Sequence, residues 1–322
     1  MIVELIALLV TLGITLAVTV PLNGALVRLR ANFNPKSIQL DAEGNVEPHT
    51  GPVVTSFFGM LKRVKRIEGW AGLYKGLMPT LLETGALTGF VLVAWDPEAI
   101  RYGARAPNTG ILGTLAYATI ALILNLPAVV LTYRSITTPH RLPYFNALYS
   151  IRVLLTPTER RRPWTIYLTP GLLAAQFTHL AYKIVLVGTL RRVLIPDLSR
   201  ADTIKADGVL FVKIGIMLAV GVLSTFILCP LEVIAAKLAI QRNHAAPEYN
   251  SVAQEVEDDA ITGEEYAEYS GAEEDVIGLR HERDPYLGLM DCAKKVMQEE
   301  GRGALYRAWW LTAFASLGNA LA

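Results

Sequence analysis

Charge is scarce in this chain. Asp, Glu, Lys and Arg make up 18% of its 322 residues, against about 25% in ordinary soluble domains. What charge there is balances to a net of +1, which excludes a polybasic nucleic-acid binder and an acidic unfolded chain. Cysteine is nearly absent. Cys229 and Cys292 are the only two, too few for a disulfide scaffold or an all-cysteine zinc site. No Gly-rich phosphate loop, nucleophile–base pair or metal-ligand cluster occurs, so neither an enzyme nor a bound cofactor is expected.

Long apolar runs are plentiful. A bilayer core about 30 Å thick takes roughly 20 apolar residues as helix, and six stretches approach that length. They are residues 5–27, 77–95, 110–133, 166–190, 208–234 and 305–322. Internal charge is limited to Glu83, Lys183 with His179, Lys213 and Glu232, and to Arg307 at the start of the last run. Uncharged runs of this length read as helix, since only helices and closed barrels satisfy their backbone in lipid. The first run is expected as a span and not as a cleaved signal, because Glu4 stands where a positive segment belongs and the run is too long.

Lysine and arginine give an orientation. The connections after spans one, three and five hold 22 of the 30 basic residues, and those on the other face hold six. The longer connections are therefore expected on the inside face and both termini opposite.

The runs repeat. Pro21, Pro127 and Pro230 lie toward the ends of the odd spans, 106 and 103 residues apart. After the first comes Glu68-Gly69-Trp70-Ala71-Gly72-Leu73-Tyr74-Lys75-Gly76, and after the third Glu300-Gly301-Arg302-Gly303-Ala304-Leu305-Tyr306-Arg307-Ala308. Tyr286-x-Gly288-x-x-Asp291-Cys292-x-Lys294-Lys295 precedes the latter. The middle copy is eroded to Glu159 and Tyr167-Leu168-Thr169-Pro170-Gly171. A period near 100 residues makes the repeat the dominant signal.

These phrases resemble the mitochondrial carrier family, over essentially the whole chain. The resemblance implies an all-α membrane fold of six helices in three pseudo-threefold repeats around a cavity. The repeats would run 1–104, 105–205 (degenerate) and 206–322, the last with an acidic insertion near 245–284. It implies transport of a small solute by alternating access, in the mitochondrial inner membrane, by a monomer. Each proline would bend its helix so that the odd helices converge.

The family's gate motif is thin here. Its acidic positions are Asn23, Val129 and Glu232, and its inner basic positions Leu26, Thr132 and Ala235. The outer basic positions survive as Arg28, Arg134 and Lys237. Glu232 is expected to pair with Arg134 or Lys237, or to face water. The gate of the opposite side is equally thin. Trp95-Asp96-Pro97 departs from its motif, the fourth span has none, and the chain ends at Ala322 before a sixth copy. That erosion keeps a second reading open: a carrier-fold scaffold or adaptor, with the outer membrane as the alternative location, as in the family's fusion-factor branch.

The resemblance places solute contacts seven residues beyond each even-helix glycine: Glu83, Gln176 with Phe177, and Ala315. The middle pair follows from aligning Thr169 with the missing glycine. His179, Lys183 and Lys213 are further candidates, since charge inside a span is costly and marks function by default. His179 and Lys183, four residues apart, would share a face. Glu83 is read either as lining a solute site or as a buried partner of Lys183 or Lys213; Lys213 either lines the cavity or snorkels. Glu83 opposite the two lysines suits an amphoteric or anionic solute. A nucleotide, which needs several cations for its phosphates, is disfavoured.

The stretch 53–67 repeats Phe57, Phe58, Leu61, Val64 and Ile67 near helical spacing, beside Lys62-Arg63-Val64-Lys65-Arg66. The family implies a helix along the membrane face and cardiolipin near Gly72 and Gly303. The insertion holds 12 acidic residues between 254 and 284 against Arg280 and Arg283. It reads as disordered, without calcium-loop spacing, and could dock a basic protein partner.

Overall fold

A computed structural model describes residues 2–36, 39–40, 46–47, 53–85, 110–194, 208–243, 275–282 and 284–321. Helix dominates. Helix α1 is Ile2–Ala31, followed by a two-residue antiparallel ribbon, Gln39–Leu40 against Val46–Glu47. Then come α2 (Phe57–Ile67) and α3 (Gly69–Leu73), and helical residues 77–85. The middle part has α4 (Gly110–Thr137), α5 (Ala147–Leu154), α6 (Pro157–Arg161) and α7 (Leu172–Ala181). A π-helical stretch, Tyr182–Val187, joins α7 to α8 (Gly188–Leu194). The last part has α9 (Gly208–Ile240), α10 (Leu289–Glu299) and α11 (Trp309–Leu321).

Four of these stretches are long and apolar enough to cross a membrane: Val10–Ala31, Gly110–Thr137, Leu172–Leu194 and Leu210–Ile240, with mean hydropathies of 1.3 to 2.3. No more than a third of any of them is buried inside the protein. Val10, Ile14 and Val18, one helical turn apart on α1, are each more than half exposed, as are Phe211, Leu223 and Phe226 on α9. In water such faces would be an aggregation hazard; in lipid they are solvated. Hydroxyls on the spans are satisfied locally: Thr15 donates to the Thr11 carbonyl, Thr119 to Leu115 and Ser224 to Val220.

Two expected spans begin later than their apolar runs suggest. Residues 163–166 form a 3₁₀ turn and 167–171 a loop, so the fourth span starts at Leu172. The sixth run is helical from Trp309, after a 3₁₀ turn at Arg302–Tyr306, and its 13-residue helix is not among the four candidate spans. Apolar residues of the entry turns pack against neighbouring helices and lengthen the run without being span. The second span is described only to residue 85. Its remainder, Trp95-Asp96-Pro97, both repeat boundaries and most of the acidic insertion lie outside the described residues.

The prolines sit inside α1, α4 and α9. Each frees the carbonyl four residues earlier. For Pro21 that is Ala17, which accepts a hydrogen bond from the Tyr74 hydroxyl at 3.1 Å. For Pro230 it is Phe226, which accepts from Tyr306 at 3.3 Å. The repeated tyrosine thus closes the backbone defect that the repeated proline opens. In the middle copy Tyr167 makes no such bond among the described residues.

Two apolar clusters hold the ends of the odd helices. One joins Leu126 and Val130 of α4, Leu172 and Ala175 of α7, Val233 to Ala239 of α9, and Cys292 and Val296 of α10. The other joins Ala25 and Leu29 of α1 to Phe57, Met60 and Val64 of α2. Helix α2 has the expected amphipathic spacing and is capped by Ser56, whose hydroxyl accepts from the Gly59 N–H. Phe58, expected on the buried face, points outward.

Candidate functional site

The three surviving basic positions each hold the acid of their own repeat. Arg28 meets Glu68 at 2.5 Å, Arg134 meets Glu159 at 2.6 and 2.8 Å, and Lys237 meets Glu300 at 2.7 Å. All six residues are buried. Pairs in such surroundings depend on further bonds to their remaining donors and acceptors, and here these follow a threefold pattern, with Arg134 Nε left over. Lys75 bridges Glu68 to the Thr138 carbonyl at 2.5 and 2.6 Å. Arg134 also donates to the Gln241 carbonyl at 2.6 Å. Arg307 joins Glu300, at 2.8 Å, to the Asn32 carbonyl. Asn32, Thr138 and Gln241 each stand eleven residues after their proline and one after their helix. A cation from one repeat therefore caps the negative end of the odd helix of the next. The three caps close a ring around one end of the bundle.

Burial pushes the Lys75 amine down to about 8, against the pull of Glu68. Burial alone would raise Glu159, but the Arg134 guanidinium and the N–H groups of Asn243 and Thr156 hold it below its ordinary value.

Inside this ring stands Glu232. It is paired neither with Arg134 nor with Lys237, which are taken by their own glutamates. Its Oε2 accepts from Arg30 of α1 and Thr312 of α11, both at 2.7 Å, and its Oε1 lies 3.2 Å from His179 Nε2 of α7. Arg30 also donates to Thr312 at 2.9 Å. One carboxylate on α9 thereby ties together α1, α7 and α11. The remaining acidic positions, Asn23 and Val129, are exposed and half-buried respectively.

Glu83 is half-buried and accepts from Asn125 of α4 at 2.7 Å. No ion pair with Lys183 or Lys213 forms. Lys213, near the start of α9, is half-buried. Of the other expected contacts, Gln176 is half-buried, while Phe177 and Ala315 are exposed.

The register of the middle copy also changes. The even helices start just after a residue with positive φ: Gly76 at 87°, Ala308 at 55° and Gly171 at 80°. Gly171, not Thr169, is the structural counterpart of the missing glycine. Seven residues on lies Thr178, not Gln176, and His179 follows it. A Cβ on Gly171 would lie 2.2 Å from the Leu289 backbone nitrogen, so this glycine also admits the start of α10. Gly72 has a comparable role. It lies against Glu68, leaves no room for a Cβ, and gives its carbonyl to Arg28 at 3.1 Å. Gly303 is exposed, with open space around it.

Residues 211–322, about a third of the chain, match the family described as mitochondrial carrier protein. This segment belongs to the mitochondrial carrier family. That match and the four long apolar helices support a carrier-type transporter and a multi-pass membrane protein of mitochondria. No curated protein matches the chain. The matched segment holds Pro230, Glu232, Lys237, Glu300 and Arg307, so the third repeat is the carrier at its least altered.

Four site residues escaped the sequence reading: Arg30, Asn125, Thr312 and Thr178. Arg30 lies nine residues after Pro21, outside the motif, and read as part of a basic connection. Asn125 and Thr312 carry no charge and belong to no motif. Thr178 was hidden by the alignment of Thr169.

Proposed function

We propose that this carrier moves a small polar or carboxylate-bearing metabolite across the mitochondrial inner membrane by alternating access, with repeats at 1–104, 105–205 and 206–322. The observation that carries this reading is the Glu232 network. A transporter needs a closure that holds but can be undone. Arg30, His179 and Thr312 supply one around a single carboxylate where the family has a ring of ion pairs. Fewer bonds must break to separate α1, α7 and α11 from α9. Glu83 with Asn125 and the polar face of α7 are then the solute contacts. We place cardiolipin at the Gly303 turn; Gly72 is engaged with Glu68 and Arg28.

Uptake into liposomes reconstituted with the full chain tests the proposal. Uptake is expected with wild type and is expected to fall in Glu83→Gln. No uptake across a broad panel of amino acids and carboxylates would overturn it and favour a carrier-fold scaffold. Cleavage of the acidic connection in intact mitochondria by added protease would place the chain in the outer membrane instead.

A further inference from the structure

A cavity lies between the π-helical stretch with α8, α9 and α11; of the expected solute contacts it includes Lys183 and not Glu83, Gln176, Phe177 or Ala315. Its volume is about 200 Å³, and its polar lining comes from Lys183, Arg191, Ser224, Ser316 and Asn319. Drug-sized ligands occupy about 300–1,000 Å³, so this one suits a molecule of a few heavy atoms.

The chemistry of the lining is one-sided. Two cations face the cavity and no carboxylate does. Among the described residues the Lys183 amine makes no hydrogen bond or ion pair, although it stands inside a membrane span, where an uncompensated charge is costly. The Ser316 hydroxyl is 5% exposed and has no hydrogen-bond partner. Ser224 differs: its proton goes to the Val220 carbonyl and it accepts from Tyr182, so it contributes no donor. The unspent groups can therefore all donate: an ammonium and a guanidinium, which only donate, and a hydroxyl and an amide, which can. Lys183 and Val187 reach the cavity from the π-helical stretch, a distortion that recurs at functional sites. Thr312, Ser316 and Asn319 share one face of α11, so the cavity starts one turn beyond the Glu232 network.

We infer that this cavity is a binding site for one small monocarboxylate, held by Lys183 and Arg191 and oriented by Ser316 and Asn319. The assignment rests on the transport reading for its purpose, but the binding is measurable without transport. Glu232 acts on Lys183 only through space; the occupant supplies the bonded carboxylate that Lys183 lacks and the acceptor that Ser316 lacks. Its charge would lie next to the Glu232 network and join solute occupancy to the closure.

The test is thermal unfolding of the purified full chain in detergent. The probes are acetate, glycolate and butyrate, with acetamide and chloride at matched ionic strength. The carboxylates are expected to raise the midpoint saturably, and acetamide and chloride to leave it unmoved. Lys183→Met is expected to weaken the half-saturating concentration at least about tenfold, as befits loss of a charged hydrogen-bond donor, and Ser316→Ala by about fivefold. Lys183→Arg is expected to retain the response. Equal carboxylate shifts in wild type and Lys183→Met, or no shift in wild type, would overturn the site. Liposome uptake separates the two ideas. Carboxylate binding without uptake of any solute leaves the site standing and removes the transport reading. Uptake by wild type together with equal carboxylate shifts in wild type and Lys183→Met removes the site and leaves transport.

Discussion

The Tyr306 hydroxyl donates to the Phe226 carbonyl, four residues before Pro230, at 3.3 Å. Tyr74 does the same for Ala17 before Pro21. Proline and tyrosine of one repeat, 53 and 76 residues apart in the two copies, are thus parts of one device. The bend leaves a carbonyl in a lipid-facing helix without its N–H, and an unsatisfied backbone group in the membrane costs several kcal/mol. The phenol removes that cost while letting the helix stay bent.

Tyr306→Phe and Tyr74→Phe are therefore each expected to lower stability by about 1–3 kcal/mol, the cost of leaving one acceptor unsatisfied. Tyr167→Phe, whose phenol serves no such carbonyl, is expected to be near neutral. Thermal midpoints of the three purified variants in one detergent check this; an equal effect at all three positions would contradict it.

Three buried pairs close the bundle, and the middle one has a pH dependence whose sign can be worked out. Glu159 is held below its ordinary value of 4.5 in the fold, where burial is outweighed by Arg134 and N–H donors. A carboxylate with a depressed value stabilises the fold above its unfolded value, and that contribution is lost as pH falls through the folded one. Acid unfolding of wild type is expected to begin below about pH 4.5. Glu159→Gln is expected to cost about 3–5 kcal/mol at neutral pH, since it leaves the Arg134 charge buried. Its stability is expected to vary less than that of wild type over that acid range. Parallel acid profiles for the two proteins would sink the assignment.

Much of this frame was legible in the residues. The prolines, the glutamates of the entry phrases and the bases at Arg28, Arg134 and Lys237 sit at fixed spacings, because a backbone bend and its anchor have fixed geometry along the chain. What the glutamates pair with is not read from that spacing and appears only in the fold. The same holds for the Glu232 partners. Arg30, His179 and Thr312 come from three other helices, and which side chains meet there depends on how those helices are rotated and crossed. Linear spacing carries no record of that. The middle copy misled for a related reason: α7 starts at whichever residue accepts a positive φ, and Gly171 satisfies that two positions after Thr169.

Gly171 offers a sharp check on that register. An alanine there meets a positive φ, costing roughly 1–2 kcal/mol, and drives its Cβ into the Leu289 and Gly288 backbone. Overpacking against backbone adds about 1–3 kcal/mol. Gly171→Ala is expected to be strongly destabilising, while Thr169→Gly is expected to cost less. The reverse order in thermal unfolding would return the entry of α7 to Thr169.

The thiols report on the same packing. Cys292, on the inner face of α10, is fully buried, and burial pushes its thiol up to about 12 despite the nearby Lys237 cation. Only the thiolate attacks a maleimide. At neutral pH the folded carrier is therefore expected to leave Cys292 unmodified, and Cys229, equally buried in α9, with it. Heating or denaturant should expose both in the same transition, because α9 and α10 share one apolar cluster. Mass spectrometry after brief labelling distinguishes the cases. Labelling of Cys292 well below the unfolding midpoint would mean that α10 lifts from α9 independently, and the ring of anchors at this end would then open one repeat at a time.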